Sequence, residues 1–294
     1  MSAEIAIAFA FGPGWLGRQA QYLARSIADN TSISEVFAYT TPSEYERIDD
    51  RVLERISDCC DVGVTDEGIS EYSISHKQAA LKSASERSTA DYLLCLDSDT
   101  VVLDSVGVPD PTADLMVKPV DIGGQYYASS DSFNEWESLA SGLGFEFPGS
   151  VSRSTVDQKC IPPYWNSGVV LTRNNDLPSR WLSLTKTLWK EFDTGYFTDQ
   201  VALGLLSTDY HSQTLDETYN YPLTHRLYVP SDVKVLHYND IKHLGRVYSP
   251  KVLRRLYRTG LFSDTEFTIA TLPQLIEEAS KTVYRRLNFA RSFP

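Results

Sequence analysis

The chain has 294 residues, which is enough for one large α/β domain or two smaller ones with a full hydrophobic core. Its formal net charge of -12 argues against nucleic acid as a partner, because no basic excess exists to release counterions from a phosphate backbone. No apolar run approaches the roughly 20 residues of a membrane-spanning helix, and the four cysteines form no CxxC pair.

The first hundred residues alternate between short apolar runs and longer stretches of helical periodicity. The predicted strands are 5–11, 36–40, 62–65 and 92–96. The predicted helices follow the glycines at 12–17, start at the capping-box pattern SEYE at 43–46, and cover 75–88. Because Glu4 precedes the first apolar run and no basic leader is present, we predict a strand there, not a signal peptide, and a cytoplasmic protein with reduced thiols. The alternation predicts a mostly parallel sheet with helices on both faces.

The pattern is less regular after Asp104. Residues 121–165 are rich in Gly, Ser and aromatic residues, which indicates a loop-rich insertion. The other predicted elements are strands at 115–120, 168–172 and 233–238, helices at 181–192 and 197–206, and further helices within 249–294. We therefore expect one domain over 1–245, made of halves 1–104 and 105–245, with a C-terminal helical extension of that domain over 246–294.

The glycines of FGPGWLG, Gly12, Gly14 and Gly17, have the GxGxxG spacing of a dinucleotide-binding motif. That motif also needs an acidic residue near the end of the second strand, to bind a ribose hydroxyl. Here the nearest candidate, Glu44, lies inside the predicted capping box. We therefore interpret 11–14 as a different nucleotide-binding loop, whose glycines let a ligand approach the backbone. A tight turn without any ligand contact is the alternative.

Two aspartates, Asp97 and Asp99, directly follow the predicted strand at 92–96. Ligands of open parallel sheets bind at the carboxyl ends of the strands, and paired carboxylates suit a hard divalent cation such as Mg²⁺ or Mn²⁺. The pattern DSDTV also fits a haloacid dehalogenase-type phosphatase, with Asp97 as nucleophile. That motif normally ends the first strand, whereas three or four βα units precede it here. A purely structural turn is a further alternative.

Several stretches occur in the order known from one group of enzymes. They are LDSDTVV at 96–102, YWNSGVVLTRN at 164–174, FTDQVAL at 197–203, ETYNYP at 217–222 and VLHYND at 235–240. Over roughly residues 4–245 the chain resembles the GT-A superfamily of glycosyltransferases, and glycosyltransferase family 8 is the nearest family we can name. The resemblance implies a Rossmann-like GT-A fold with additional C-terminal helices.

The same resemblance implies a metal-dependent enzyme that moves a hexosyl group from a nucleotide sugar, a UDP-sugar by expectation, to a sugar, glycan or lipid-linked acceptor. Retention of stereochemistry is expected rather than inversion. The acceptor would lie against the insertion at 121–165. The implied cofactor is Mn²⁺ or Mg²⁺, and the oligomeric state is left open.

The implied metal ligands are Asp97, Asp99 and His237, because a histidine that begins an HxxGxxK segment is the third ligand in the resembled family. Here the segment reads HYNDIKHLGR, in which Asp240 replaces the glycine and His243 the lysine. His243 is therefore the substitute ligand. The phosphate-binding role of the lysine passes to Lys242 or Arg246.

Donor binding is implied for residues of several motifs, and each has an ordinary structural explanation as a turn, a helix cap or a solvated side chain. They are Phe11, Gly12, Lys77, Asp97, Ser98, Asn166, Ser167, Gly168, Lys242 and Arg246. Asp199 is the implied contact to the sugar hydroxyls, and Gln200 the residue near the anomeric carbon; in an inverting enzyme Asp199 would be the base. Asn220 is expected to be a supporting turn.

Two further alternatives remain, together with a question about the tail. A sugar-nucleotidyltransferase would carry a basic, glycine-rich loop after the first strand, but 11–18 contains one basic residue. A non-catalytic carbohydrate-binding domain would explain the 17 tyrosines but not the ordered motifs. The basic and aromatic tail at 281–294 fits a weak peripheral membrane contact, although its apolar stripe favours a packed helix with a basic outer face.

Overall fold

The computed structural model describes residues 3–123, 132–147, 152–192, 194–226, 229–247, 250–258, 276–277 and 281. The strands are β1 (Ile5–Ala10), β2 (Val36–Thr40), β3 (Asp61–Val64), β4 (Tyr92–Leu96), β5 (Thr100–Val102), β6 (Leu115–Pro119), β7 (Ser152–Arg153), β8 (Cys160–Ile161), β9 (Trp165–Arg173), β10 (Ser212–Thr214), β11 (Tyr221–Pro222) and β12 (Val235–His237). The α-helices are α1 (Trp15–Asn30), α2 (Pro42–Tyr45), α3 (Asp50–Ser57), α4 (Ser75–Ser85), α5 (Ser132–Gly142), α6 (Leu177–Glu191), α7 (Thr198–Leu206) and α8 (Pro250–Arg258).

The central sheet has seven strands in the order β10-β6-β9-β4-β1-β2-β3. β1 is parallel to β2 and β4, β2 is parallel to β3, and β6 is parallel to β10. Only β9 runs against its neighbours β4 and β6. A three-stranded sheet, β11-β12-β5, adjoins the carboxyl end of β4. The predicted α/β fold with a largely parallel sheet is confirmed.

Both faces of the sheet are covered by helices, as the alternation of β1 shows. Ala8 packs with Leu81 of α4 on one face, whereas the adjacent Phe9 packs with Leu23 of α1 on the other. Successive strand residues point to opposite faces, so each apolar residue of β1 enters one of two cores. Full burial of each large apolar side chain contributes about 1.5–3 kcal/mol.

The glycines of FGPGWLG have mainly conformational roles. Gly14 has φ 65°, a left-handed conformation that side chains disfavour, and it precedes the first residue of α1. A Cβ on Gly17 would lie 2.6 Å from the carbonyl oxygen of Gly12, so this glycine lets the helix pack closely on the loop. The GxGxxG spacing is thus explained by the turn into α1.

The predicted capping box at 43–46 is wrong, because the box lies two residues earlier. The Thr41 hydroxyl accepts from the Glu44 amide at 3.3 Å and donates to Glu44 Oε2 at 3.2 Å. Pro42 occupies the first helical position, where its missing amide hydrogen costs nothing. The resulting helix is a single turn, and α3 begins separately with Asp49 as its cap.

The second half of the chain is more regular than predicted. The insertion at 121–165 contains helix α5 and the hairpin β7–β8, and Trp136 of α5 is fully buried. β9 begins at Trp165, so Asn166-Ser167-Gly168 lies inside a strand and not before one. Most of the predicted C-terminal helices and tail lies outside the described residues. Among the residues that are described, no helix is long and apolar enough to cross a membrane.

Candidate active site

A cavity of about 1040 Å³ opens at the carboxyl ends of β1, β2 and β4. This is the edge at which open α/β sheets bind ligands. It brings together most residues that the motifs predicted. The predicted residues in its lining are Phe11, Lys77, Asp97, Ser98, Asp99, Asn166, Ser167, Gly168, Asp199, Gln200, His237 and His243.

Three of these side chains form a cluster with the composition of a metal site. Asp97, Asp99 and His237 each place one ligand atom so that all three atoms lie within 4.8 Å of one another. The antiparallel pairing of β5 with β12 sets Thr100 opposite His237, which brings the imidazole beside Asp99. His237 Nε2 lies 3.2 Å from Asp99 Oδ1. Two carboxylates and one imidazole fit Mn²⁺, and the carboxylates alone also suit Mg²⁺.

The His237 ring is held from behind by two residues of other motifs. Its Nδ1 donates to Asn220 Oδ1 at 3.1 Å, and Asn220 Nδ2 donates to Asn166 Oδ1 at 3.1 Å. The Asn166 oxygen also accepts from the Gly168 amide at 2.9 Å. This chain fixes Nε2 as the nitrogen that faces Asp99, which is the usual support of a metal-bound histidine.

Charges in the cluster shift the pKa values of two of its members upward. Burial lowers the pKa of His237, but the carboxylates of Asp99 and Asp97 outweigh it, and the net pKa is raised. Burial raises the pKa of Asp97, Lys77 opposes this, and the charge of Asp99 adds to the increase. The metal-free cluster therefore favours bound protons. A divalent cation bound to the same carboxylates would replace these protons.

Lys77 connects the carboxylate cluster to a second group of polar residues. Its ammonium lies 3.0 Å from Asp97 Oδ1, 3.1 Å from Asp199 Oδ2 and 2.9 Å from Ser167 Oγ. Burial lowers the pKa of Lys77, yet Asp97 and Asp199 more than compensate and raise it above its usual value. Lys77 is thus buried and ion-paired, not a solvated helix lysine.

Asp199 and Gln200 lie in the first turn of α7 and differ in how many of their hydrogen bonds the protein supplies. Asp199 Oδ1 accepts from the Tyr72 hydroxyl at 2.8 Å, and Asp199 Oδ2 accepts from the Ser167 hydroxyl at 2.5 Å. Gln200 Oε1 is buried and has no hydrogen-bond partner within the described part of the chain. Gln200 lines the cavity, and its amide oxygen has acceptor capacity that the described part of the chain does not use.

His243 also lines the cavity, but it does not join the cluster of Asp97, Asp99 and His237. His243 Nδ1 lies 2.9 Å from the Tyr238 carbonyl oxygen and 3.1 Å from Thr224 Oγ1, so the ring is directed to the backbone and not to the carboxylates. Lys242 is outside the described cavity lining and pairs with Asp240 at 2.6 Å. Arg246 ends a 3-10 helix, Ile241–Arg246, and its side chain is not among those described. Gly12 is also outside the lining.

Several residues that line the cavity were not assigned to the site from the sequence. Glu44 was interpreted only as part of a capping box, and Trp15 was given no role. His76 and Asp121 also line the cavity. His76 precedes Lys77 in the first turn of α4, which lies at the edge of the cavity. Nothing in the local sequence of Asp121 indicates its position.

A family model described as the Rhodobacterales glycosyltransferase domain matches residues 7–210. The chain belongs to this family. Residues 7–210 therefore form a glycosyltransferase domain, and the phosphatase, nucleotidyltransferase and non-catalytic alternatives are disfavoured. The matched segment includes Asp97, Asp99 and Asp199 and ends before His237.

Two solved structures are similar to this glycosyltransferase. The glycosyltransferase GlyE of Streptococcus pneumoniae TIGR4 is 16% identical with a TM-score of 0.48, and the match covers 96% of this chain and 64% of that chain. Mouse xyloside xylosyltransferase 1, in its apo form, is 12% identical with a TM-score of 0.46, and the match covers 80% of this chain and 97% of that chain. The chain thus spans less than two thirds of the length of GlyE. Comparison with curated protein sequences gives no match.

Proposed function

We propose that this glycosyltransferase has a GT-A site and takes its sugar from a nucleoside diphosphate sugar, with a UDP-sugar as the expected donor. The observation that carries the proposal is the cluster of Asp97, Asp99 and His237 at the carboxyl edge of the sheet. Mn²⁺ or Mg²⁺ held there would stabilise the negative charge of the departing nucleoside diphosphate.

The neighbouring side chains support a sugar-binding role for the other side of the cavity. Gln200 lines the cavity, and its Oε1, which is buried and unpartnered in the described structure, could accept from a donor hydroxyl once the side chain turns toward the cavity. Asp199 is held by Lys77, Ser167 and Tyr72, so its carboxylate is fixed in position. A fixed acceptor orients a sugar with little further loss of side-chain entropy.

The arrangement around Asp199 also favours retention over inversion. An inverting enzyme needs a carboxylate that can take a proton from the acceptor. Both oxygens of Asp199 already accept hydrogen bonds, and the buried Lys77 ammonium lies 3.1 Å from Oδ2. Asp199 is therefore better suited to orienting the donor than to acting as the base.

For the acceptor, we propose a sugar, glycan or lipid-linked sugar that enters along the insertion. Asp121 and Ile122 bring the start of the insertion into the cavity lining, and the lining residue Tyr196 is 68% exposed. An exposed aromatic ring at the mouth of a cavity suits the apolar face of a sugar ring.

The absence of disulfides among Cys59, Cys60, Cys95 and Cys160 agrees with a cytoplasmic location.

The donor class and metal dependence are tested together by hydrolysis of a panel of UDP-, GDP-, ADP-, CDP- and dTDP-sugars with Mn²⁺. We expect slow hydrolysis of at least one sugar nucleotide, loss of this activity in EDTA, and recovery with Mn²⁺ or Mg²⁺. Asp99→Ala should abolish it, whereas Asp66→Ala, an exposed aspartate outside the cavity, should not. Undiminished activity in EDTA would disprove the metal role, and no turnover of any sugar nucleotide, alone or with a panel of glycan acceptors, would disprove the donor class.

A further inference from the structure

One acidic side chain of the cavity is remote from the metal cluster and has no role in the function proposed above. Glu44 follows β2, whereas Asp97 follows β4, and β1 lies between these two strands. At the usual spacing of neighbouring strands, β2 and β4 are about 10 Å apart. Glu44 therefore lies along the same edge of the sheet as the cluster, beyond the loop that follows β1.

The two carboxylate oxygens of Glu44 have different surroundings. Oε2 accepts from the Thr41 hydroxyl at 3.2 Å and lies 3.6 Å from His76 Nδ1. Oε1 has no hydrogen-bond donor among the described residues, and a Cβ built on Gly12 would come within 3.4 Å of it. A half-buried carboxylate oxygen that lines a cavity without a donor has capacity for a ligand.

The neighbour His76 orients Glu44 without cancelling its charge. A Cβ on Gly68 would lie 2.5 Å from His76 Cδ2, so the ring is packed tightly on its far side. Burial lowers the pKa of His76, against the opposing effect of Glu44, and the imidazole is therefore mainly neutral at neutral pH. Glu44 thus keeps the acceptor capacity of a carboxylate.

We propose that Glu44 binds the vicinal hydroxyls of the ribose of the donor nucleotide. The inference rests on the proposed function, since it takes the diphosphate to lie at Asp97, Asp99 and His237. Ribose is joined to the phosphates through its C5′ atom, so it is the next part of the nucleotide to extend from that cluster over the loop containing Gly12.

The chemistry at this end of the cavity fits a diol better than the other parts of a nucleotide. A carboxylate can accept from both ribose hydroxyls, whereas a further phosphate would be repelled by it. The flat face of a base is better matched by the apolar side chains of Leu16 and Ile74, which line the same cavity. A base edge that donates to Glu44 is the competing arrangement, and the experiment separates the two.

The experiment measures binding of UDP, GDP, ADP and CDP to the full chain by calorimetry with saturating Mn²⁺, and then of the 2′-deoxy and 3′-deoxy forms of the tightest binder. The test variant is Glu44→Gln, because glutamine keeps the capping box with Thr41. Glu46→Gln is the matched control, as Glu46 is an exposed glutamate outside the cavity lining. Thermal melts confirm that both variants are folded.

We expect the wild type to bind at least one deoxy form about 10- to 100-fold more weakly, the range for a hydrogen bond to a charged group. Glu44→Gln should lose most of this discrimination and Glu46→Gln should keep it. Full discrimination in Glu44→Gln, or equal binding of all forms by the wild type, would overturn the ribose assignment while leaving the nucleotide donor intact. A changed ranking of the four bases with unchanged discrimination would overturn it in favour of the base. Failure of every nucleotide to bind would overturn the proposed donor class itself.

Discussion

Gly168→Ala should damage the proposed metal site without changing any of its proposed ligands. A Cβ at this position would lie 2.3 Å from Cε1 and 2.7 Å from Nδ1 of His237. For an ordinary contact of about 3.5 Å, the ring must move by roughly 1 Å. His237 cannot move freely, because it is buried and donates to Asn220. The displacement should separate Nε2 from the Asp99 carboxylate.

The expected result is a 10- to 100-fold weaker Mn²⁺ affinity, the usual cost of disturbing the support of a metal ligand. Overpacking should also lower the free energy of unfolding by about 1–3 kcal/mol. Gly63→Ala is the matched control, because its Cβ would meet the Tyr39 ring at 2.4 Å, outside the cavity lining. It should be similarly destabilised and bind Mn²⁺ normally.

Mn²⁺ affinity can be measured by electron paramagnetic resonance of the free ion, and stability by urea denaturation. The reasoning is refuted if Gly168→Ala binds Mn²⁺ as the wild type does. It is also refuted if Gly63→Ala loses affinity to the same extent, because the effect would then follow general destabilisation and not the position of His237.

The remaining predictions concern the other members of the site. His237→Ala should weaken Mn²⁺ binding far more than His243→Ala in the same titration, and the reverse order would show that the ligand assignment is wrong. Because the pKa of His237 is raised and only its neutral form coordinates, wild-type Mn²⁺ affinity should fall as the pH drops through that raised pKa; a flat profile would contradict this. Lys77→Met should lower the free energy of unfolding by about 3–5 kcal/mol in urea, since it leaves buried carboxylates unpaired, and a loss below about 1 kcal/mol would contradict the buried pairing. Mass spectrometry after incubation with acetyl phosphate should show no phosphorylated Asp97, and a trapped phospho-aspartate would support the phosphatase alternative.

The sheet was largely predictable because its main strands are continuous apolar runs. The bounds of β2 and β4 agree with the prediction, since both strands are buried along their whole length. β5, β10 and β11 have two or three residues each and gave no periodic signal. β5 pairs with β12, which is far away in sequence, so no local pattern could indicate it.

The cluster of Asp97, Asp99 and His237 was predictable in part because two of its members are separated by a single residue in the sequence. Asp97 and Asp99 follow one strand, and only the resemblance pointed to His237. The ion pair of Lys77 with Asp199 was not predictable, because it joins α4 to α7 through the packing of separate elements. For the same reason the sequence could not show that Asp199 is already hydrogen-bonded.

The glycines near the site have close side-chain neighbours that the sequence could not indicate. Gly12 was predicted to let a ligand approach the backbone, and Gly168 was predicted to bind the donor. In the structure, the nearest atoms to a Cβ at these positions belong to Glu44 and His237. Gly68 likewise leaves room for His76. The space beside Gly12 is larger than the space beside Gly168. A Cβ on Gly12 would lie 3.4 Å from Glu44, whereas a Cβ on Gly168 would lie 2.3 Å from His237. A methyl group should therefore be tolerated at residue 12 and not at residue 168, since only the second contact lies inside van der Waals distance. A glycine in this cavity marks a position where another side chain of the protein approaches closely.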